Sequence, residues 1–552
     1  MDSLFDTSQI TKRRNINPRF PRAEAGLVKQ LIVEGGLQGT HVGQGVVSAL
    51  SALREKLEHE LSHRITKYER YSLIFRVFQT LDLIYGHDLE RTQKLANAGD
   101  TQSIPDITKG HYKAETFVGT VGKGLERILE IAIANDSKDG EYVRNENNPI
   151  WLSEIATEMA MINGAIESYV YLCDKRGKLN IDTADWQLEL TKEDRKRLDS
   201  IRLNWSEDDV RHIRMNFDVS LEGPSPEEWM QSLKEIIKGS TAEATQKLGF
   251  DIVEFLQTID DTHRAEIQHT FSEKLLVLLC LIPLSTELVR KWAFEEEIVN
   301  YLDRETQIPI GTLAAVLGHL SLTKEGLLQE NAYPFEFRRK FRLIRRPLPR
   351  LDIGAQRVYL LSIPLIGRHF LNVMSDYMGG TDPALENTET AKLIDRLKQQ
   401  YSDYFVRERI YRKLIEQGYI ARYHIEQIGS HDLKLECGEI DILIVGKARN
   451  KLMVGEGKHM VNNCVSIHDM RQEKTAYVRD KTGYAAKLRR KLQWVEDHKR
   501  EVLDFMDVQD LSDNIPCTPV FLTNIYTPAA EFIDDISFIT VYDKEPWWNK
   551  LD

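Results

Sequence analysis

The spacing of apolar residues changes once along this chain, and that change constrains its fold more than any other feature. Up to about residue 330, apolar residues recur at three- and four-residue intervals, the period of a helix with one buried face. Val47, Leu50, Leu53, Leu57, Leu61 and Ile65 are one such stripe; Ile155, Met159, Ile162 and Ile166 are another. Polar, glycine-bearing breaks lie near 97–110, 135–148 and 222–227. The last is the clearest helix start, because Ser225 can cap and Pro226 suits the first turn. No internal repeat is visible. The spacing predicts helical regions over 1–220 and 221–330. From Tyr333 the pattern alternates. Phe335, Phe337, Phe341 and Leu343 are interleaved with arginines, and a strand-like run follows Asp352 and Gly354. This predicts a β-hairpin or extended connector over 331–380.

A glycine-rich break at 379–384 opens a mixed unit, 381–552. Lys392–Gln417 reads as a helix stopped by Gly418. Strand-like runs follow at Tyr419–Ile428, Gly438–Val445 and Lys451–Lys458, then a basic helical stretch, Tyr484–Met506. Two more strands are expected at Pro519–Thr523 and Ile536–Tyr542. The expected class is multidomain: a mostly α-helical N-terminal region and a C-terminal α+β domain around a central mixed sheet.

The size agrees, since 552 residues exceed one ordinary core. With 42% hydrophobic and 29% charged residues, the chain reads as globular rather than disordered. Its net charge of -12 argues against indiscriminate nucleic-acid binding but permits a local basic groove. Cys173, Cys280, Cys437, Cys464 and Cys517 are far apart and form no CxxC pair, so neither a disulfide framework nor a four-cysteine zinc site is expected. The first residues lack a signal pattern. The longest apolar run, Leu275–Leu284, contains Pro283 and is about half of the roughly 20 residues a bilayer span needs. A buried helix there, no membrane association and a cytoplasmic, reducing location are expected.

The chemistry concentrates in two of the C-terminal strands. In Gly438–Val445, Asp441 interrupts an apolar run, and a buried carboxylate needs a partner such as a metal ion. In Leu452–Lys458, the residues Glu456 and Lys458 share a face, since strand side chains alternate. A short turn at 447–450 joins the strands, so hairpin pairing would bring Asp441 to Glu456 and Lys458. Two carboxylates beside a lysine suit a hard divalent cation and a phosphate.

This arrangement, Asp441 followed by Glu456-Gly-Lys458, resembles the core of the PD-(D/E)XK nuclease superfamily over residues 400–545. The position before the aspartate is Ile440 where the family pattern has proline. The resemblance implies a restriction-endonuclease-like fold. It also implies magnesium or manganese held by Asp441, Glu456 and the Gly457 carbonyl, with Lys458 serving the attacking water. It further implies a glutamate on the preceding helix. Glu408 lies on a stripe with Tyr404, Tyr411 and Ile415 and is assigned that supporting role; pairing with Arg412 is the alternative. Gln493 is a further helix residue that could touch the site, whereas His459 should point to the other face.

Two basic segments are candidate nucleic-acid contacts: Lys487, Arg490 and Lys491 on one helical face, and Arg338, Arg339 and Arg342 among aromatics. For both, an ordinary solvated helix or strand face is the alternative. His59-Glu-Leu-Ser-His63 matches the HExxH zinc-peptidase pattern. Its histidines, however, fall opposite the apolar stripe and lack an obvious third ligand, though Glu69 and Glu90 exist. The glycine-rich run 35–45 lacks the lysine of a phosphate loop, so no NTPase is inferred.

The expected activity is divalent-metal-dependent hydrolysis of phosphodiester bonds, with DNA favoured over RNA by the resemblance. The layout resembles bacterial antiviral-defence nucleases. The helical region would bind a protein partner, sense a trigger or mediate homo-oligomerisation. A non-catalytic nucleic-acid-binding or assembly protein on the same scaffold is the alternative, and a zinc peptidase the remote one.

Overall fold

The computed structural model describes residues 23–96, 104–135, 140–144, 149–183, 185–222, 225–248, 250–288, 290–330, 339, 341–378, 385, 388–459, 467–542 and 546–551. The chain has a helical N-terminal half and a C-terminal mixed α+β region built on a five-stranded mixed sheet. It divides into two compact units. One comprises Met1–Asp194 with Asp209–Leu393, the other Arg195–Asp208 with Ile394–Asp552.

In the first unit, helices Gln44–Ile65, Arg70–Ala96, Ile104–Ala134 and Ile150–Glu167 bury their apolar stripes in one core. Leu50, Leu53, Leu57 and Leu61 are fully buried, as their spacing predicts. The helix from Ile104 runs through the break expected up to Gly110. Ser225 caps helix Pro226–Ile237 in a capping box with Glu228. The apolar run around Leu275 is a buried helix, Phe271–Glu287, that holds Pro283. Among the described residues no single helix is long and apolar enough to cross a membrane.

The expected hairpin forms between Leu348–Ile353 and Gln356–Leu360, turning at Gly354 with φ of 65°. It belongs to a four-stranded sheet rather than to a connector, because Leu343, Leu351 and Leu360 bury in the core of the N-terminal helices. The expected divisions at 220 and 330 therefore fall inside one unit. The break at 379–384 and Arg338 lie outside the described residues.

The longer segment of the second unit runs from Ile394, whereas the break near 380 is the expected boundary. Its first helix, α1, is Glu389–Tyr404, continued by a π-helical stretch Phe405–Tyr411 and a final turn Arg412–Glu416. Gly418, at φ 82°, ends it. Strands β1 (Ile420–Ile425), β2 (Ile440–Val445) and β3 (Leu452–Lys458) form an antiparallel meander. Helices α2 (Ile467–Val478), α3 (Tyr484–Asp497) and α4 (Lys499–Phe505) follow, then β4 (Cys517–Thr523) and β5 (Ser537–Thr540). The sheet order is β5-β4-β3-β2-β1, with β4 parallel to both β3 and β5.

Strand alternation divides this unit's apolar residues between two faces. Leu443, Val445, Leu452 and Val454 pack with Leu488 and Val495 of α3. Ile442, Ile444 and Met453 pack with Phe405, Ile410 and Leu414 of α1. Part of helix Lys192–Glu222 also belongs to this unit: Arg197 Nε donates to the Glu531 carbonyl at 2.9 Å, and Ser200 Oγ to Glu531 Oε1 at 2.8 Å. The Tyr542 hydroxyl donates to Asp208.

Candidate active site

The site forms at the ends of β2 and β3, where the ladder pairs Ile442 with Gly455. One step further Asp441 lies across from Glu456, so their side chains share a face. That face is the one covered by α3. Both glycines of β3 permit close packing on the other face. A Cβ on Gly455 would lie 2.6 Å from Ile442 Cγ2, and one on Gly457 would lie 2.4 Å from Val406 Cγ2 of α1.

Lys458 Nζ lies 2.6 Å from Glu456 Oε2 and 3.8 Å from Asp441 Oδ2. A second lysine, Lys491 of α3, donates to Glu456 Oε1 and stands 3.7 Å from Asp441 Oδ1. The Gly457 N–H donates to Asp441 Oδ2 at 3.1 Å. Glu456 and Lys491 are buried, whereas Asp441 and Lys458 keep 22% and 24% of their side chains exposed, which leaves the site open to solvent on their side.

The electrostatics follow from these positions. Burial and the neighbouring Glu456 push the Asp441 carboxyl up to about 6. Burial would raise Glu456 too, but Lys458 and Lys491 outweigh it and hold that carboxyl below its ordinary value. Burial opposes the Lys458 charge; Glu456 and Asp441 outweigh it and raise the ammonium above its usual range. The Lys458 ammonium also lies 4.9 Å from the centre of the Tyr484 ring.

The donor set fits a hard divalent cation. Two carboxylates meet at one point, no sulfur or imidazole among the described residues bonds to either of them, and Asp441 stands beyond hydrogen-bond range of both ammoniums. Asp441, Glu456 and the Gly457 carbonyl are the residues that could hold the ion.

Other expected site residues sit elsewhere. The buried stripe of α1 is Phe405, Val406, Ile410 and Leu414, while Tyr404 and Ile415 are exposed. Glu408 therefore does not face inward. Its carboxylate accepts from Arg412 at 3.1 Å and from Arg407 at 2.8 Å, which draws its pKa down. The helix that carries it covers the sheet face opposite the carboxylates. His459 packs on that face too, 5.5 Å from the Phe405 ring. Gln493 is exposed and donates to Asp497.

Of the basic candidates, Lys487 and Arg490 are exposed on α3, while Lys491 is buried in the site. Helical spacing alone did not single out Lys491, because its carboxylate partners lie on strands distant in sequence. Arg339 and Arg342 are not exposed contacts. Arg339 is buried and pairs with Glu130 at 2.9 Å and Glu330 at 3.0 Å, and Arg342 is buried 3.8 Å from Glu126.

In the HExxH segment, His59 and His63 are exposed and Glu60 is paired with Arg64. Glu69 accepts from the Tyr71 and Ser72 N–H groups at 3.0 and 2.7 Å. Among the described residues, the His and Glu groups that gather within 4.8 Å are His431–Glu436–His498 and His424–Glu426–Glu439, not this motif. The described cysteines Cys173, Cys280, Cys437 and Cys517 are free thiols, and Cys464 lies outside the described residues. Compared with known protein families, curated proteins and solved structures, the chain has no match.

Proposed function

We propose that the C-terminal unit is a divalent-metal-dependent nuclease of the PD-(D/E)XK type that hydrolyses phosphodiester bonds, with DNA the favoured substrate. One observation carries this reading: Asp441, Glu456 and Lys458 converge from neighbouring strands of a mixed sheet. A bound magnesium or manganese ion would neutralise phosphate charge and acidify a water. Asp441 and Glu456 would hold it, with the Gly457 carbonyl as a further ligand. Lys458, anchored by Glu456 and partly exposed, would orient the attacking water and offset the charge that grows on phosphate. Lys487 and Arg490, exposed on the neighbouring helix, would contact the nucleic-acid backbone. The helical unit would supply partner binding, self-association or a trigger, in keeping with a defence role inside the cell.

The test is incubation of the full chain with linear, circular and single-stranded DNA and with RNA, in magnesium and in manganese, beside Lys458→Ala. Cleavage lost in the variant supports the reading; intact nucleic acid under every condition overturns it. Bound but uncleaved nucleic acid would point to a binding protein. That second reading draws on the two lysines that already neutralise the carboxylates.

A further inference from the structure

The site contains one cation more than the proposed hydrolysis uses. Lys491 reaches it from α3, with its stem over Gly438, where a Cβ would lie 3.7 Å from Lys491 Cε. Its ammonium engages Glu456 Oε1 and faces Asp441 Oδ1, whereas Lys458 engages Oε2 and faces Oδ2. The two lysines thus flank the same acid pair on different oxygens. Two carboxylates and two ammoniums cancel, so an incoming cation meets no net negative charge. It must also compete for oxygens that already accept hydrogen bonds.

We infer that Lys491 is an internal competitor for the metal: a divalent ion takes its place on Glu456 and Asp441 by displacing the Lys491 ammonium. This rests on the nuclease reading for the identity of the metal ligands. Lysine suits such a role better than arginine. It is a point charge on a flexible stem and gives up no two-pronged hydrogen bond when it leaves. The surroundings can receive it. Lys487 lies one helical turn before Lys491 on the same face, 5.9 Å from the ring of Tyr484, which also neighbours Lys458. The displaced ammonium would join this cationic rim, where a phosphate is expected. Lys491 is thereby a positioning residue that sets how much free metal the site needs.

The test is titration of the full-length protein with manganese, read by electron paramagnetic resonance of the free aqua ion. Lys491→Met should bind one manganese ion at least about tenfold more tightly than the wild type, since one close positive charge is gone. Lys491→Gln should do the same and serves if the methionine variant does not fold. Lys491→Arg, which keeps the charge and can hold a carboxylate with two hydrogen bonds, should bind manganese no more tightly than the wild type. Adding Glu456→Gln to either neutral variant should abolish the gain. Equal or weaker binding by the neutral variants, or a gain that survives Glu456→Gln, overturns the inference. Cleavage assays on the same samples separate the two ideas. Tighter manganese binding without any cleavage leaves the role of Lys491 standing and sinks the nuclease; cleavage with unchanged affinity does the reverse.

Discussion

Two of the buried ionic clusters among the described residues differ in how completely their charges are satisfied. In the helical unit, Arg339 is 4% exposed and its guanidinium holds Glu130 and Glu330 at 2.9 and 3.0 Å, while Arg127 holds Glu130 at 3.0 Å. The planar fork of arginine is fully used and each partner is fixed. In the C-terminal unit, lysines stand in place of arginines. Asp441 receives one N–H bond, keeps two ammoniums at 3.7 and 3.8 Å, and remains partly open to solvent. Buried charge alone does not mark a functional site. A cluster saturated by arginine is built to stay, whereas one held by movable lysines, with a carboxylate pushed up to about 6, can exchange partners.

That contrast is most strongly tested by activity. Asp441→Asn and Glu456→Gln should each lower phosphodiester cleavage by at least about a thousandfold, with the circular-dichroism spectrum kept. Arg339→Met should do the opposite. It takes from Glu130 one of its two arginines and from Glu330 its guanidinium partner, and lowers stability by about 3–5 kcal/mol in urea denaturation, and cleavage measured well below the melting temperature should survive. If both clusters proved equally dispensable to cleavage, the distinction would fail.

A pH titration of stability probes the helical unit further. His269, packed against His263 and His319, is held down to about 2, chiefly by burial and then by His319. Its folded value lies below the unfolded 6.5, so its stabilisation is complete above pH 6.5 and is lost as pH falls towards 2. The unfolding free energy should therefore decline below pH 6.5 with a slope of up to about 1.4 kcal/mol per pH unit from this group. His269→Gln should flatten that slope.

Smaller effects are expected at the surface. Lys487→Ala and Arg490→Ala should each weaken nucleic-acid binding about threefold and reduce the salt slope of log Kd by about one, measured by fluorescence anisotropy. Glu408→Gln should change the cleavage rate by less than about twofold. A large loss there would return this glutamate to the site and blur the comparison.

The strands that carry the site were legible because alternation is a local signal. Asp441 stands out as the acid in an apolar run, and Glu456 and Lys458 follow at a spacing of two. Lys491 was visible only as one basic residue on a helix, since its meaning depends on carboxylates from β2 and β3. Glu408 departs from the face its α-helical spacing predicts because the helix passes through a π-helical stretch, Phe405–Tyr411, where that spacing no longer reports which residues share a face. Arg339 looked like a surface arginine in an alternating run because Glu130, its partner, lies 209 residues upstream. Sequence period reports which face is apolar, but not which distant charge meets a given side chain.

The C-terminal unit is not contiguous in the chain, since Arg195–Asp208 belongs to it. A fragment expressed from residue 394 onward would strip Glu531 of its bonds from Arg197 and Ser200, and Tyr542 of its acceptor Asp208. An inactive truncation would therefore say nothing about Asp441, Glu456 and Lys458. A minimal C-terminal unit would have to be assembled from two pieces, with the 195–208 segment supplied as a fused or added helix.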